Sequence, residues 1–443
     1  MPTRVCHRVS RPLDADVSIP GSKSLTNRAL VAAALADGPS ILSGALLADD
    51  VERMTESLGA LGVAIAVDRA DARIEIGGCG DFPAEEADLY CGNSGTTLRF
   101  LTAACATAFG RYRLDGSARM RERPVGTLVE ALRGLGARIQ FEGREGYPPL
   151  IVHARHLHGG QIRVDASESS QFVSGVLLAA PKASDDVLLE VAPPVVSAPY
   201  LNMTCRVMEG FGVGVIADRG GNGSGGGGAA RYIVPAPQRY TGRSYVIEPD
   251  ASNACYFLSA PAIAGGRVTV RGIGSGSVQG DARFTGVLER LGCQVAQTAE
   301  STTVVRDPGT GRLRALDVDL NDMPDQAQTL AVLALFADGP TTIRNVANLR
   351  LKETDRLAAL ACELRKLGAE VEERPDGLTI VPPVHPVSAE IDTYDDHRMA
   401  MSFALAGLTI DGVAIRDPQC CSKTFPAFWA HWGAMTASGS RER

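Results

Sequence analysis

Six short polar runs in this 443-residue chain carry residue types that could hold a small anion, and each stands before an apolar, alanine-rich stretch. They are GSKSLTNR from Gly21, GNSGTT from Gly92, SESSQ from Ser167, PDASN from Pro249, NDMPDQ from Asn321 and DDHR from Asp395. Ser, Thr, Asn and Asp at such points are good helix N-caps, a role that needs no function. Capping leaves Lys23, Arg28, Arg99 and Arg398 unexplained. A helix start offers unpaired N–H groups and partial positive charge, so a cation beside it completes an anion site. More cations cluster in short loops: Arg119, Arg121 and Arg123 before one amphipathic stretch, and Arg350, Lys352 and Arg356 before another, with Glu353 interleaved. Lys423 stands alone in SKTF. A single charge run reads as a solvated helix face. A chain of net charge −7 that places cations at the same point of successive segments reads as a binder of small anions.

Other chemistries lack their residues. The run from Gly272 to Gly276 follows a strand but has neither the third-glycine spacing nor the βαβ setting of a dinucleotide fingerprint. There is no Walker A pattern and no GxSxG nucleophile elbow. His153, His156 and His158 lie in a glycine-flanked loop without carboxylate or cysteine at ligand spacing, so no metal and no cofactor are expected.

The elements that must position the cations come from a repeat. Amphipathic stretches end in Leu61-Gly62, Leu135-Gly136, Phe211-Gly212, Leu291-Gly292 and Leu367-Gly368, with a weaker Trp432-Gly433. Successive glycines are 74, 76, 80, 76 and 65 residues apart. Apolar residues before each are helically spaced, as in Val51, Met54, Leu58 and Leu61, and glycine is the usual left-handed stop. An earlier helix in each copy is apolar nearly all round, hence buried on every face. The unit is an α/β module with a buried helix, a surface helix and about four short strands. Six such modules exceed one core and group as three and three. Buried helices of one domain then point the same way, and two such faces opposed would form an anion-binding cleft. The run from Gly220 to Gly228 reads as a flexible insertion, and the end from Thr436 onward as a frayed tail.

Composition agrees with a globular chain: 45% hydrophobic and 21% charged residues. No apolar run approaches the roughly 18 residues of a spanning helix, so no membrane partner is expected. Negative charge and 5% aromatics argue against nucleic acid. Ten scattered cysteines, only Cys420 and Cys421 adjacent, and a start without an apolar secretory core fit a cytoplasmic protein.

Nine runs in order, GSKSLTNRA (Gly21), GNSGTTLR (Gly92), RMRERPVG (Arg119), SSQF (Ser169), DASNACYF (Asp250), QGDARF (Gln279), LKETDRL (Leu351), DDHRMAM (Asp395) and KTFP (Lys423), closely resemble the enolpyruvyl transferases. Within them the resemblance is to the branch whose acceptor is shikimate 3-phosphate, and it spans about Ser18 to Phe428. It implies an α/β fold, a two-domain inside-out α/β barrel of six βαβαββ units, three per domain. Residues 21–246 would form one domain, and 1–20 plus 247–443 the other. The implied reaction moves the enolpyruvyl group of phosphoenolpyruvate to the 5-hydroxyl of shikimate 3-phosphate by addition and elimination, within aromatic amino-acid biosynthesis. The implied partners are these two small molecules, and the expected state is a monomer.

By the same resemblance Lys23, Asn93, Gly95, Arg119, Gln171, Arg356, Arg398 and Lys423 would hold phosphoenolpyruvate. Lys23, Ser24, Arg28, Ser169, Ser170, Gln171, Ser197, Tyr200, Asp325, Asn348 and Lys352 would hold shikimate 3-phosphate. Lys23, Asp325 and Glu353 would be catalytic, Asp325 taking the hydroxyl proton and the other two serving the methylene carbon. Each phosphate carries about −1.5 to −2, so these cations bring the bound charge near neutrality. Phe100 departs from the family, where many members have proline. The alternative is the sister reaction on UDP-N-acetylglucosamine, whose enzymes use a cysteine in the loop corresponding to Asp115–Arg123; here that loop has none.

Overall fold

The computed structural model describes residues 2–218 and 229–438. The glycine-rich run expected as an insertion lies outside the described residues, as does the end from 439 onward. The chain forms two compact units, an N-unit of Gly21–Ile247 and a C-unit of Met1–Pro20 with Glu248–Arg443.

Helices alternate between buried and surface kinds. The N-unit has α1 (Lys23–Ala34), α2 (Asp49–Ala60), α3 (Gly95–Ala106), α4 (Gly126–Gly134), α5 (Ser170–Ala179) and α6 (Pro199–Gly210). The C-unit has α7 (Ala251–Ala264), α8 (Phe284–Leu291), α9 (Ala327–Ala334), α10 (Arg356–Lys366), α11 (His397–Phe403) and α12 (Phe428–Ser438). Every residue of α3 and of α9 is buried. In α2 only the stripe with Val51, Met54 and Leu58 is buried, as helical spacing requires. After α2, α4, α6, α8 and α10 the glycines Gly62, Gly136, Gly212, Gly292 and Gly368 take φ of +86° to +106°, the left-handed stop that lets each chain turn into its next strand.

The second module shows the wiring. Strand Glu86–Tyr90 runs through α3 to its parallel neighbour Phe109–Asp115, with Leu89 opposite Leu114. After α4 the hairpin Arg138–Phe141 and Leu150–Arg155 adds antiparallel strands, giving a βαβαββ unit. Parallel pairing demands a crossover, and the buried helix supplies it. Two modules borrow their first strand from elsewhere in the chain. In the N-unit, Tyr240–Thr241 and Ser244–Val246 run parallel to Ala36–Ser43. In the C-unit, Leu13–Ser18 runs parallel to Gly266–Arg271, with Val17 opposite Val270.

The sixth module departs from the repeat. Its sheet has three strands, Thr3–Val5 replacing the hairpin. Gly433 lies inside α12 and stops nothing, and the helix continues to Ser438 where a frayed tail was expected. Its aromatic side pins α12 to the core, Trp432 and Phe428 both packing on Phe257 at 5.6 and 5.7 Å between ring centres. No helix among the described residues is long and apolar enough to cross a membrane.

The borrowed strand Leu13–Ser18 depends on Gly266, whose φ is +97° and whose added Cβ would stand 2.1 Å from Leu13 O. Gly266→Ala is expected to cost at least about 2 kcal/mol in urea unfolding. Gly286, inside α8 with open space around it, should instead gain about 0.5–1 kcal/mol as alanine.

Candidate functional site

In the N-unit the first turns of the buried helices lie side by side. Asn27 Nδ2 donates to Thr96 Oγ1 at 2.7 Å, joining α1 to α3. Arg99 Nη1 donates to Gln171 Oε1 at 2.8 Å, joining α3 to α5. From α1, Arg28 reaches Ser174 Oγ on α5 (3.2 Å) and Thr204 Oγ1 on α6 (2.7 Å). The caps are neutral: Ser22, Ser94 and Ser169 accept from the N–H groups of Leu25, Thr97 and Gln171. A neutral cap leaves the positive end of the helix dipole in place.

Gly95 opens α3, and a Cβ there would stand 2.6 Å from Arg99 Nη1 and 2.7 Å from Arg123 Nη2. Arg123 is buried, its Nη1 donating to Asn93 O (3.1 Å) and Oδ1 (3.3 Å). A helix start flanked by two guanidinium groups can take a phosphate at Gly95. Arg119, also expected at this point, is about a third exposed and its Nη1 pairs with Glu122 at 2.9 Å. Arg121 pairs with Asp115 at 2.7 Å. Pro124 makes the difference. The residue before a proline is driven to extended backbone, and Arg123 (φ −91°, ψ 128°) leaves the short 3₁₀ turn Met120–Glu122 with its side chain inward. That pre-proline position was the available signal for Arg123.

Lys23, the first residue of α1, holds Nζ 3.2 Å from Asp50 Oδ2. Sequence reasoning missed Asp50, one of three acids in the first turn of α2. The Ser24 carbonyl accepts from Arg28 Nη1 at 2.9 Å. Phe100 and Tyr200 stand on Arg28, their ring centres 5.1 and 5.8 Å from its guanidinium carbon. Phe100 therefore serves Arg28 by a cation–π contact. Burial lowers the Arg28 pKa to about 10, so it stays charged at neutral pH. Ser169 spends its hydroxyl on the cap of α5, where Ser170 is the first residue. Ser197 has φ +57° and its carbonyl accepts from Tyr200 N.

In the C-unit one arginine organises the charges. Arg356, the first residue of α10 and 1% exposed, meets three carboxylates: Nε on Asp396 Oδ2 at 2.7 Å, Nη1 on Asp325 Oδ1 at 2.9 Å and Nη2 on Glu353 Oε2 at 2.8 Å. Arg398 Nη2 lies 2.9 Å from Asp325 Oδ2, and its Nη1 donates to Tyr256 Oη at 3.2 Å. Lys423 Nζ is 3.0 Å from Glu353 Oε1, and Lys352 Nζ is 3.9 Å from Asp325 Oδ1. Thus Asp325, Glu353, Lys352, Arg356, Arg398 and Lys423 come together within this unit. Asn348 is buried in the neighbouring 3₁₀ turn Ala347–Leu351. Asp396, overlooked in the sequence because it reads as an ordinary cap, both caps α11 through Arg398 N and grips Arg356. Arg356 is thereby a hub, each of its three donor nitrogens facing a protein carboxylate.

Burial alone would raise the Asp325 carboxyl, but Arg398, Lys352 and Arg356 outweigh it and hold it well below the usual carboxylate range. The same carboxylates, against the effect of burial, hold Arg356 above the ordinary guanidinium value. Asp281 behaves oppositely. Burial, then the Asp325 charge, push it up to about 6. It accepts from the Ser252 hydroxyl and from Gln326 Nε2, so it ties the start of α7 to the turn that carries Asp325. Among the described residues no group of three or more His, Cys, Asp or Glu side chains could hold a metal ion.

Modules with buried helices inside and sheets outside, whose helix starts carry paired cations and acids, place the chain in the enolpyruvyl-transferase class. The family model described as EPSP synthase (3-phosphoshikimate 1-carboxyvinyltransferase) matches residues 8–432, and the chain belongs to that family. A 3-phosphoshikimate 1-carboxyvinyltransferase of Nostoc punctiforme is 47% identical over 429 residues, covering 96% of this chain and 97% of the relative. The chloroplastic enzyme of Arabidopsis thaliana is 46% identical over 434 residues, covering 95% and 82%. Among solved structures, EPSP synthase from Acinetobacter baumannii superposes with a TM-score of 0.78 at 25% identity, covering 98% of both chains.

Asp281 generates a pH test. An acid whose pKa is higher folded (about 6) than unfolded (about 3.9) makes the folded state bind the extra proton. Stability from this group is then full below about pH 4, falls as pH rises to about 6, and is level above. Asp281→Asn should remove that fall, so its unfolding free energy relative to wild type should climb by on the order of 3 kcal/mol across the window. Parallel curves for the two proteins from pH 4 to 7 would refute the raised pKa.

Proposed function

We infer that the chain transfers the enolpyruvyl group of phosphoenolpyruvate to the 5-hydroxyl of shikimate 3-phosphate, giving 5-enolpyruvylshikimate 3-phosphate and phosphate. Membership of the EPSP synthase family, matched over residues 8–432, carries this function. It puts the chain in aromatic amino-acid biosynthesis. The sister reaction on UDP-N-acetylglucosamine is not favoured, since the curated relatives bear the shikimate name.

The residue roles are our proposal, supported by the geometry within each unit. The phosphate of phosphoenolpyruvate lies at the start of α3, on the Gly95 N–H, with Arg123, Arg99, Asn93 and Gln171 around it. Arg123, which lies against Gly95, is added to the set beside Arg119. Lys23 joins this set, oriented by Asp50. Arg398, Lys423 and Arg356 of the C-unit serve the same substrate. Shikimate 3-phosphate is held by Ser24, Arg28, Ser169, Ser170, Ser197 and Tyr200 in the N-unit and by Asp325, Asn348 and Lys352 in the C-unit.

Chemistry follows from the charges. The 5-hydroxyl oxygen attacks C2 of phosphoenolpyruvate while C3 gains a proton, giving a tetrahedral ketal phosphate. C3 then loses a proton as the C2–O bond to phosphate breaks, and phosphate leaves. Asp325 accepts the hydroxyl proton. Its cations alone make it a weak base. Substrate phosphates and carboxylates offset those cations and raise its proton affinity, so binding itself prepares the base. Glu353 and Lys23 serve the proton at C3. The ten cysteines are all free thiols, which supports a reducing cytoplasmic setting, and we propose that the chain acts as a monomer.

Phosphate release with both candidate acceptors tests the function; turnover with the nucleotide sugar alone would overturn it. Lys23→Ala should lower kcat/KM by at least about 1000-fold with normal circular dichroism, as expected for a group acting on the transition state. Arg123→Ala should lose at least about 100-fold in kcat/KM. A loss within about threefold would remove Arg123 from the site.

A further inference from the structure

The step into α11 is unusual. Tyr394 and Asp395 both have left-handed backbone, φ +54° and +55°, and neither is glycine. A bulky residue takes that conformation only where its surroundings enforce it. The next residue is Asp396, whose carboxylate accepts from Arg398 N at 2.9 Å and from Arg356 Nε at 2.7 Å. The directions of Arg356 and Arg398 therefore depend on where this step leaves Asp396.

The enforcement comes from α10. Glu363 lies two turns beyond Arg356 on the same helix and is fully buried. Its Oε1 accepts from Tyr394 Oη at 2.7 Å and its Oε2 from Asp392 N at 3.0 Å. Lys366 Nζ stands 2.7 Å from both Glu363 Oε2 and Asp392 Oδ2. One carboxylate thus grips the loop on both sides of Thr393, which is itself buried and whose carbonyl accepts from Asp396 N at 2.9 Å. Tyr394 is 41% exposed, so apolar burial does little to hold it and the phenol hydrogen bond does more. Burial, then the Glu363 carboxylate, push the Tyr394 phenol above its usual range, so it remains the donor at any working pH.

We propose that Glu363 and Tyr394 are positioning residues: a clamp from α10 that holds the left-handed step and so sets Arg356 and Arg398 for phosphoenolpyruvate. This rests on the assignment of those arginines to phosphoenolpyruvate given above. The clamp touches no substrate and moves no proton. It acts through Asp396.

Tyr394→Phe removes one hydroxyl and nothing else. Its KM for phosphoenolpyruvate should rise about tenfold while kcat and the KM for shikimate 3-phosphate stay within about twofold. Glu363→Gln, which keeps one acceptor oxygen and loses the second charge-assisted bond, should fall between wild type and Tyr394→Phe. Lys366→Met weakens the ion pair but leaves the Tyr394 bond, so it should lower the thermal midpoint without moving either KM. An unchanged KM for phosphoenolpyruvate in Tyr394→Phe overturns the clamp. So does a parallel rise in both KM values with a lowered midpoint, which would mark a merely structural contact. If wild type itself fails to turn over phosphoenolpyruvate with shikimate 3-phosphate, the function fails instead, and the two failures are distinct.

Discussion

Arg356 among Asp325, Glu353 and Asp396 is the contact on which the C-unit is built. A guanidinium and three carboxylates are taken out of water together, which is tolerable only when geometry is good and every donor is used. Here Nε, Nη1 and Nη2 each have a carboxylate within 3 Å. The three acids reach the hub from separate parts of the chain: Asp325 from the turn before α9, Glu353 from the loop before α10, and Asp396 from the cap of α11. Removing the hub would leave three anions crowded in one place. Removing any acid would leave the remaining charges unbalanced, at a cost of roughly 3–5 kcal/mol for a broken buried pair.

The two units use one module for different electrical ends. In the N-unit the buried helices are capped by Ser22, Ser94 and Ser169, so their starts keep a positive field. Arginines there add to that field. In the C-unit the caps of α7 and α11 are Asp250 and Asp396, which cancel that field locally. Cations must then be added to restore a positive balance, and the result is a mixed network in which carboxylates sit within reach of lysine and arginine. Such a network can shift a carboxyl in either direction. Asp325 is held down by its cations, whereas at Asp281, nearby, burial and the Asp325 charge outweigh Arg398 and push the carboxyl up.

Much of the fold was legible in the sequence. The glycines ending five surface helices, the all-apolar buried helices and the polar runs before them are local patterns, because helix periodicity and left-handed stops involve neighbours a few residues apart. Trp432-Gly433 misled for the same reason: the dipeptide matched, but aromatic packing on Phe257 keeps the helix running. The strands borrowed by the first and fourth modules depend on pairings more than 200 residues apart, Val17 with Val270 and Tyr240 with Ala36, which no local pattern announces.

The sequence by itself determined the modules, their buried helices and the polar residue types at each helix start, since these follow from spacing and backbone preference. Only the tertiary structure decided which arginine of the run 119–123 turns inward, that Asp50 orients Lys23, and that Arg356 is shared by three acids. Those outcomes are contests between water and a partner from a distant segment, and the winner is set by burial and by distances of a few ångströms. Identical side chains in one loop meet opposite fates there: Arg119 keeps its solvent and a neighbouring glutamate, and Arg123, turned by Pro124, loses its water to the start of α3.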